Sequence, residues 1–186
     1  MRTFISIPIP KTVKDYVSKV KTELNTVEPD VKWVEYENYH LTVKFLGNIN
    51  ENQLKEIKHN LVIVGENCPN FDLILDRIGF FPNHIRPRVV WIGLKGELDK
   101  ASFLTNRVDA YLGNLGFETE RNHHFHLTLG RIRSEDNKQE FMKKCNAMQN
   151  NIKKLRFSIN EFKLMESKLS SNGPQYSELG RFSLLG

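Results

Sequence analysis

His40-Leu41-Thr42-Val43-Lys44-Phe45-Leu46 is nearly repeated as His126-Leu127-Thr128-Leu129-Gly130-Arg131-Ile132. Each copy holds a histidine, a threonine two residues on, and an otherwise apolar run. A strand has a side-chain period of two, so His and Thr share one face in each copy. Leu41, Val43 and Phe45 then point the other way, as do Leu127 and Leu129. Two such strands facing each other would place two imidazoles and two hydroxyls in one polar cleft.

The chain contains six histidines. About 0.3 chance matches to His-x-Thr are expected in a chain of this kind, so a second match is already uncommon. The offset is stronger evidence. His40 and His126 lie 86 positions apart, and other features recur at that spacing. Phe71 and Phe157 each open an apolar-alternating run. Phe4-Ile5-Ser6-Ile7 precedes Val90-Trp91-Ile92-Gly93 by the same interval. A fixed period over most of a chain points to a duplicated unit, and two copies are too few for a solenoid.

The copies read alike. A strand over residues 2–8 precedes a helix from Lys11 to Thr26, with Val13, Val17, Val20 and Leu24 at helical spacing. A short strand from Val31 to Tyr36 leads to the first motif strand. Asn50 is a candidate N-cap for a helix carrying Leu54, Ile57 and Leu61. A strand from Phe71 to about Ile78 ends the first copy, and Gly79 to Pro87 joins it to the second. There, strand 88–94, a helix from Glu97 to Leu112 or Leu115, a short strand 117–120 and a polar connection from Arg121 to His124 lead to the motif strand 125–132. Ser134-Glu135-Asp136 is expected to cap a further helix. A long strand from Leu155 to about Met165, a loop from Ser167 to Gln175 and a last strand 176–185 follow.

This order predicts an α+β fold. Two pseudo-symmetric lobes of antiparallel sheet carry helices on their outer faces, with a central cleft between the sheets. The chain is read as one two-lobed domain with pseudo-repeats over about 2–78 and 88–165. The 186 residues, 39% hydrophobic and 26% charged, are ordinary for a soluble globular protein. No apolar run is long enough to span a bilayer, and the first strand is too short in apolar residues for a signal peptide. A cytoplasmic monomer is the expectation. Cys68 and Cys145 are far apart and lack metal or redox spacing, which fits free thiols. The net charge of +5 suits a polyanionic partner such as RNA without requiring one.

Two imidazoles across a pocket provide acid–base chemistry near neutral pH, one neutral and one charged. The threonine hydroxyls can donate to phosphate oxygens, where negative charge builds. Lys44 shares the His40 and Thr42 face under strict alternation and is expected to add charge to the pocket. Arg131 falls on the opposite face from His126 unless a bulge near Gly130 turns the strand.

With these residues in view, both motifs resemble the His-x-Thr-x signatures of the two-histidine (2H) phosphoesterase superfamily. More narrowly, the chain resembles the RNA 2′,3′-cyclic phosphodiesterases, also called 2′-5′ RNA ligases. The likeness runs from Arg2-Thr3-Phe4-Ile5-Ser6-Ile7 through Trp33-Val34, Phe80-Phe81-Pro82 and Pro87-Arg88-Val89-Val90-Trp91-Ile92-Gly93. It closes on Leu164, Ser167, Gly173, Pro174 and Tyr176. The resemblance implies metal-free hydrolysis of a terminal 2′,3′-cyclic phosphate to a 2′-phosphate, with no cofactor. It implies His40 as the acid for the leaving 3′-oxygen and His126 as the base for water. It implies that Thr42 and Thr128 hold the phosphate of the substrate, an RNA with a cyclic end or a cyclic nucleotide; the strand reading adds Lys44 and Arg131 as expected substrate-binding residues. The reverse reaction would be 2′-5′ ligation. The family usually has proline directly before the second motif histidine. Here Phe125 stands there, so the connection at His123-His124 can sit differently.

Two other readings compete. The His124-x-His126 spacing occurs in metal sites, but neither motif carries a carboxylate. His123 and His124 otherwise read as solvated loop residues. A non-catalytic RNA-binding module with ferredoxin-like halves would need aromatics on the open sheet face, where His and Thr stand while Phe45 faces the core. Trp33, Tyr36, Tyr39, Phe80 and Phe81 are expected mostly to pack in the core or between the lobes, with base stacking as their other use.

Overall fold

Apolar residues at helical and alternating spacing build most of the elements in the order expected, and they bring the two motif strands near each other, each in its own sheet. The computed structural model describes residues 1–120 and 123–186. Of the polar connection expected before the second motif, Arg121 and Asn122 lie outside the described residues.

The strands are β1 (Arg2–Pro8), β2 (Val31–Trp33), β3 (His40–Asn48), β4 (Phe71–Phe81), β5 (Val89–Gly96), β6 (His126–Ile132), β7 (Arg156–Ile159), β8 (Glu161–Ser170) and β9 (Gly173–Ser183). The helices are α1 (Lys11–Leu24), α2 (Glu51–Asn67), α3 (Leu98–Gly113) and α4 (Lys138–Met148). The fold is α+β, with two antiparallel sheets ordered β3-β1-β8-β9 and β2-β6-β5-β4-β7.

Helix α1 buries Val13, Val17, Val20 and Leu24, the stripe its spacing requires. Asn50 caps α2 as a full capping box, trading bonds with Gln53. Helix α2 comes so close to β9 that a Cβ on Gly65 would lie 2.4 Å from the Ser183 carbonyl oxygen. Leu41, Leu127, Leu129, Leu73 and Ile92 are buried in one continuous core. Each such side chain contributes about 1.5–3 kcal/mol on burial.

The lobes are not the two sequence halves. Strand β4, from the first copy, pairs with β5 and β7 of the second. Strand β8, from the second copy, pairs with β1 of the first. The small β2 pairs with β6. The copies therefore exchange strands, so each motif strand belongs to a sheet built from both halves.

Several boundaries differ from the sequence reading. The long strand expected from Leu155 divides at Asn160, where the chain passes from one sheet to the other, and period-two patterning carries no mark of that step. The expected loop 167–175 is instead a hairpin, with β8 and β9 paired out to Ser170 and Gly173. Residues 117–120 form no strand. Ser134-Glu135-Asp136 lies before the helix rather than at its cap, since α4 starts after Asn137, which is left-handed at φ 56°.

Candidate active site

Each motif histidine is held the same way. The His40 Nδ1–H donates to the Asn38 carbonyl at 2.7 Å, and the His126 Nδ1–H donates to the His124 carbonyl at 2.9 Å. A carbonyl oxygen only accepts, so Nδ1 must carry the proton in each neutral ring. That leaves Nε2 as the nitrogen available for chemistry. On His40 it meets the Thr42 hydroxyl at 3.0 Å.

Bulges decide what else reaches this face. In the β1–β3 pair, Ser6 lies opposite Thr42 but Ile5 lies opposite Lys44, so Val43 is an extra residue. Lys44 then shares the Ile5 face rather than the His40 face. Its side chain is 3% exposed, and the ammonium donates to Asp109 Oδ1 at 2.7 Å and to the Glu118 carbonyl. The free pocket charge expected of Lys44 is thus already neutralised inside the protein. Phe45 turns the other way. Expected in the core, it is 69% exposed, on the face of Phe4 and Thr42.

The second motif strand carries the bulge that the sequence left as a condition. Trp91 lies opposite Thr128 and Val90 opposite Gly130, which makes Leu129 the extra residue. Arg131, opposite Val89, therefore joins the face of Thr128 and His126. It is exposed, and its charge acts on Tyr176 of the other sheet.

Aromatic rings wall the two imidazoles. Tyr176 meets the His40 ring edge-on at 5.4 Å and Phe4 lies 5.1 Å from it. Phe81 meets His126 edge-on at 4.8 Å, with Trp91 at 5.9 Å. Burial pushes both imidazole pKa values below the ordinary 6.5, although each backbone carbonyl partly opposes the shift. The charge of Lys14 lowers His40 further, and that of His124 lowers His126.

A cavity of about 250 Å³ brings the motifs together, with Thr42 and Phe45 on one side and Phe81 and His126 on the other. A second cavity of about 300 Å³ adjoins it on the His126 side, beside Trp91 and Leu98. Among the described residues, no three His, Cys, Asp or Glu side chains converge as a metal ion requires.

Of the expected aromatics, Tyr39 is fully packed and its hydroxyl is pushed up to about 12 by burial. Trp33 donates to Asn25, and Tyr36 donates to Asp15. Only Phe81 lines the cleft. Sequence reasoning missed Asp109 and misread His123, whose Nε2–H donates to Asp109 Oδ2 at 2.7 Å. The signal for Asp109 was available. It falls one turn from Thr105 on the buried side of α3, where a carboxylate needs a partner.

A family model described as LigT like Phosphoesterase matches the chain twice, over residues 7–91 and 92–176. A Methanocaldococcus jannaschii protein named RNA 2′,3′-cyclic phosphodiesterase is 36% identical over 176 residues, covering 95% of this chain and 96% of its own. One of the same name from Archaeoglobus fulgidus is 34% identical over 185 residues, covering 98% and 99%. The crystal structure of Escherichia coli LigT in apo form has the same fold, with a TM-score of 0.79 at 24% identity over 100% of this chain and 98% of that one.

Proposed function

Because the chain belongs to the LigT-like phosphoesterase family, we propose that it is an RNA 2′,3′-cyclic phosphodiesterase whose two motif histidines act as acid and base without a cofactor. The observation that carries the mechanism is the matched pair of imidazoles. Both hold Nδ1–H on a backbone carbonyl and so keep Nε2 as the unprotonated ring nitrogen.

In the reaction proposed, a water oxygen attacks phosphorus while the bond from phosphorus to the ribose 3′-oxygen breaks. His126 Nε2 takes the water proton, and protonated His40 Nε2 gives its proton to the leaving 3′-oxygen. The product keeps a 2′-phosphate. Each proton transfer contributes about 10²–10⁴ in rate. Thr42 and Thr128 donate to the non-bridging oxygens, and Arg131 supplies the positive charge that Lys44 does not. A 5′-hydroxyl attacking in place of water, with the same 3′-oxygen leaving, would join two RNA ends through a 2′-5′ linkage. Phe45 and Phe81 offer ring faces to a terminal base. Among the described residues, no helix is long and apolar enough to cross a membrane. We place the enzyme in the cytoplasm, a reading supported by two buried free thiols, and take it to act as a monomer.

The test uses a short RNA ending in a 2′,3′-cyclic phosphate, with EDTA present. The expected product is a 2′-phosphate, lost by about 10²–10⁴ in His40→Ala and in His126→Ala. RNA that binds but stays cyclic would instead favour a non-catalytic binding module. Turnover that needs added metal would overturn the two-histidine mechanism.

A further inference from the structure

We propose that Lys44, Asp109 and His123 form a buried tie that positions His126, and that His123 is a positioning residue for the hydrolysis. The inference rests on the role given to His126 above.

The two motif histidines depend on backbone carbonyls that are supported differently. Asn38, which serves His40, ends a 3₁₀ turn over Tyr36–Asn38. Its N–H bonds Glu35 at 2.9 Å, and its side-chain amide donates to the Pro174 carbonyl at 3.0 Å. The carbonyl that serves His126 belongs to His124, in a stretch with no helix or strand. Regular structure does not hold it.

The neighbouring side chain does. Asp109 projects from α3 into the interior with 3% of its side chain exposed. Its Oδ1 takes the Lys44 ammonium at 2.7 Å and its Oδ2 takes His123 Nε2 at 2.7 Å. An ionised carboxylate only accepts, so the His123 Nε2 carries its proton toward Asp109. Charge-assisted bonds of this length are the strong kind, and here they are shielded from water. Lys44 lies in the first motif strand, two residues beyond Thr42. His123 lies three residues before His126. The tie therefore fixes the approach to the second motif against the first, through α3. It anchors the chain one residue before the carbonyl that sets the His126 tautomer.

The test compares His123→Ala with His123→Gln, whose amide can still donate to Asp109. The first readout is kcat and KM on an RNA with a 2′,3′-cyclic end. The second is the His126 tautomer, read from two-bond ¹⁵N–¹H spectra of the imidazole. His123→Ala is expected to lower kcat by about 10²-fold with little change in KM, because a displacement near 1 Å costs that much. The His126 signal should lose its single Nδ1–H form, and His123→Gln should restore both. If His123→Ala does not fold, Asp109→Asn gives the same two readouts. The spectra need no turnover. A changed tautomer in a protein that leaves the cyclic phosphate intact would uphold the tie and reject the reaction. An unchanged His126 tautomer in His123→Ala would overturn the tie.

Discussion

Val43 and Leu129 are the extra residues of two β-bulges that fall at the same place in the two motif strands, each directly after its threonine. A bulge reverses the alternation beyond it. The residue that follows turns inward in each copy, Lys44 in one and Gly130 in the other. The next residue turns out to the cleft, Phe45 in one and Arg131 in the other. The duplicated backbone thus places an apolar ring on one side and a cation on the other. That asymmetry suits a nucleotide, with a base to stack and a phosphate to neutralise.

Phe45→Ala should therefore harm binding and spare the fold. The ring is mostly exposed, so thermal stability should change by no more than about 0.5 kcal/mol. Stacking on a base is worth about 1–3 kcal/mol, which predicts a KM for a cyclic-ended RNA raised about 5- to 150-fold. Steady-state kinetics beside a melting curve checks both halves. A large loss of stability with an unchanged KM would return Phe45 to a packing role.

The pH profile follows from the two depressed imidazoles. In the reaction proposed, the productive form has His40 protonated and His126 neutral. Both free-enzyme pKa values lie below 6.5. The kcat/KM profile should be a bell with its maximum below pH 6.5, falling on the alkaline side as His40 loses its proton. Stability has the opposite slope. The unfolded chain binds these protons near 6.5 and the native state only at lower pH. Stability is then fully present above about 6.5 and declines as pH falls through the depressed native values. Melting curves across pH, set beside those of His40→Ala, isolate that contribution. A rate maximum above 6.5 would contradict the assignment.

The repeat of His-x-Thr at a fixed offset was enough to read the fold class, because strand period and duplication are both sequence properties. The exchange of β4 and β8 between lobes was not legible, since pairing partners leave no periodic mark. Position 44 shows the limit most clearly. Strict alternation sends Lys44 to the pocket and Phe45 to the core, and one inserted residue swaps them. Gly130 hinted at the second bulge because a glycine inside a strand often marks one. No glycine stands at the matching place in the first strand to give the hint. His123 reads as a solvated loop residue because its partner, Asp109, is 14 positions away on a helix face.

Lys44→Ala should be costly to the fold. It leaves Asp109 buried with His123 as its remaining bonded side chain. Removing one partner of a buried ion pair costs about 3–5 kcal/mol. Urea denaturation should show the loss as a lower midpoint with an unchanged slope. Arg131→Ala, by contrast, should leave the stability within about 0.5 kcal/mol, since Arg131 is exposed. It should instead raise the KM. If Lys44→Ala lowered only the affinity, the lysine would be a phosphate ligand after all.

Gly79→Ala tests the wall behind His126. A Cβ on Gly79 would stand 2.1 Å from the Trp91 ring, and one on Gly93 would stand 3.0 Å from it. The two glycines leave a trough in which the indole lies, with its Nε1 buried and without a partner among the described residues. Trp91 is in turn 5.9 Å from the His126 ring. An added methyl must displace the indole, which neighbours both the histidine and Phe81. Overpacking of this kind costs about 1–3 kcal/mol of stability. The displaced ring should also shift His126 and lower kcat by up to about 10²-fold. Tryptophan fluorescence should change as well, because Trp91 is one of only two tryptophans. A variant that loses stability but keeps its kcat would show that the indole supports the sheet and not the histidine.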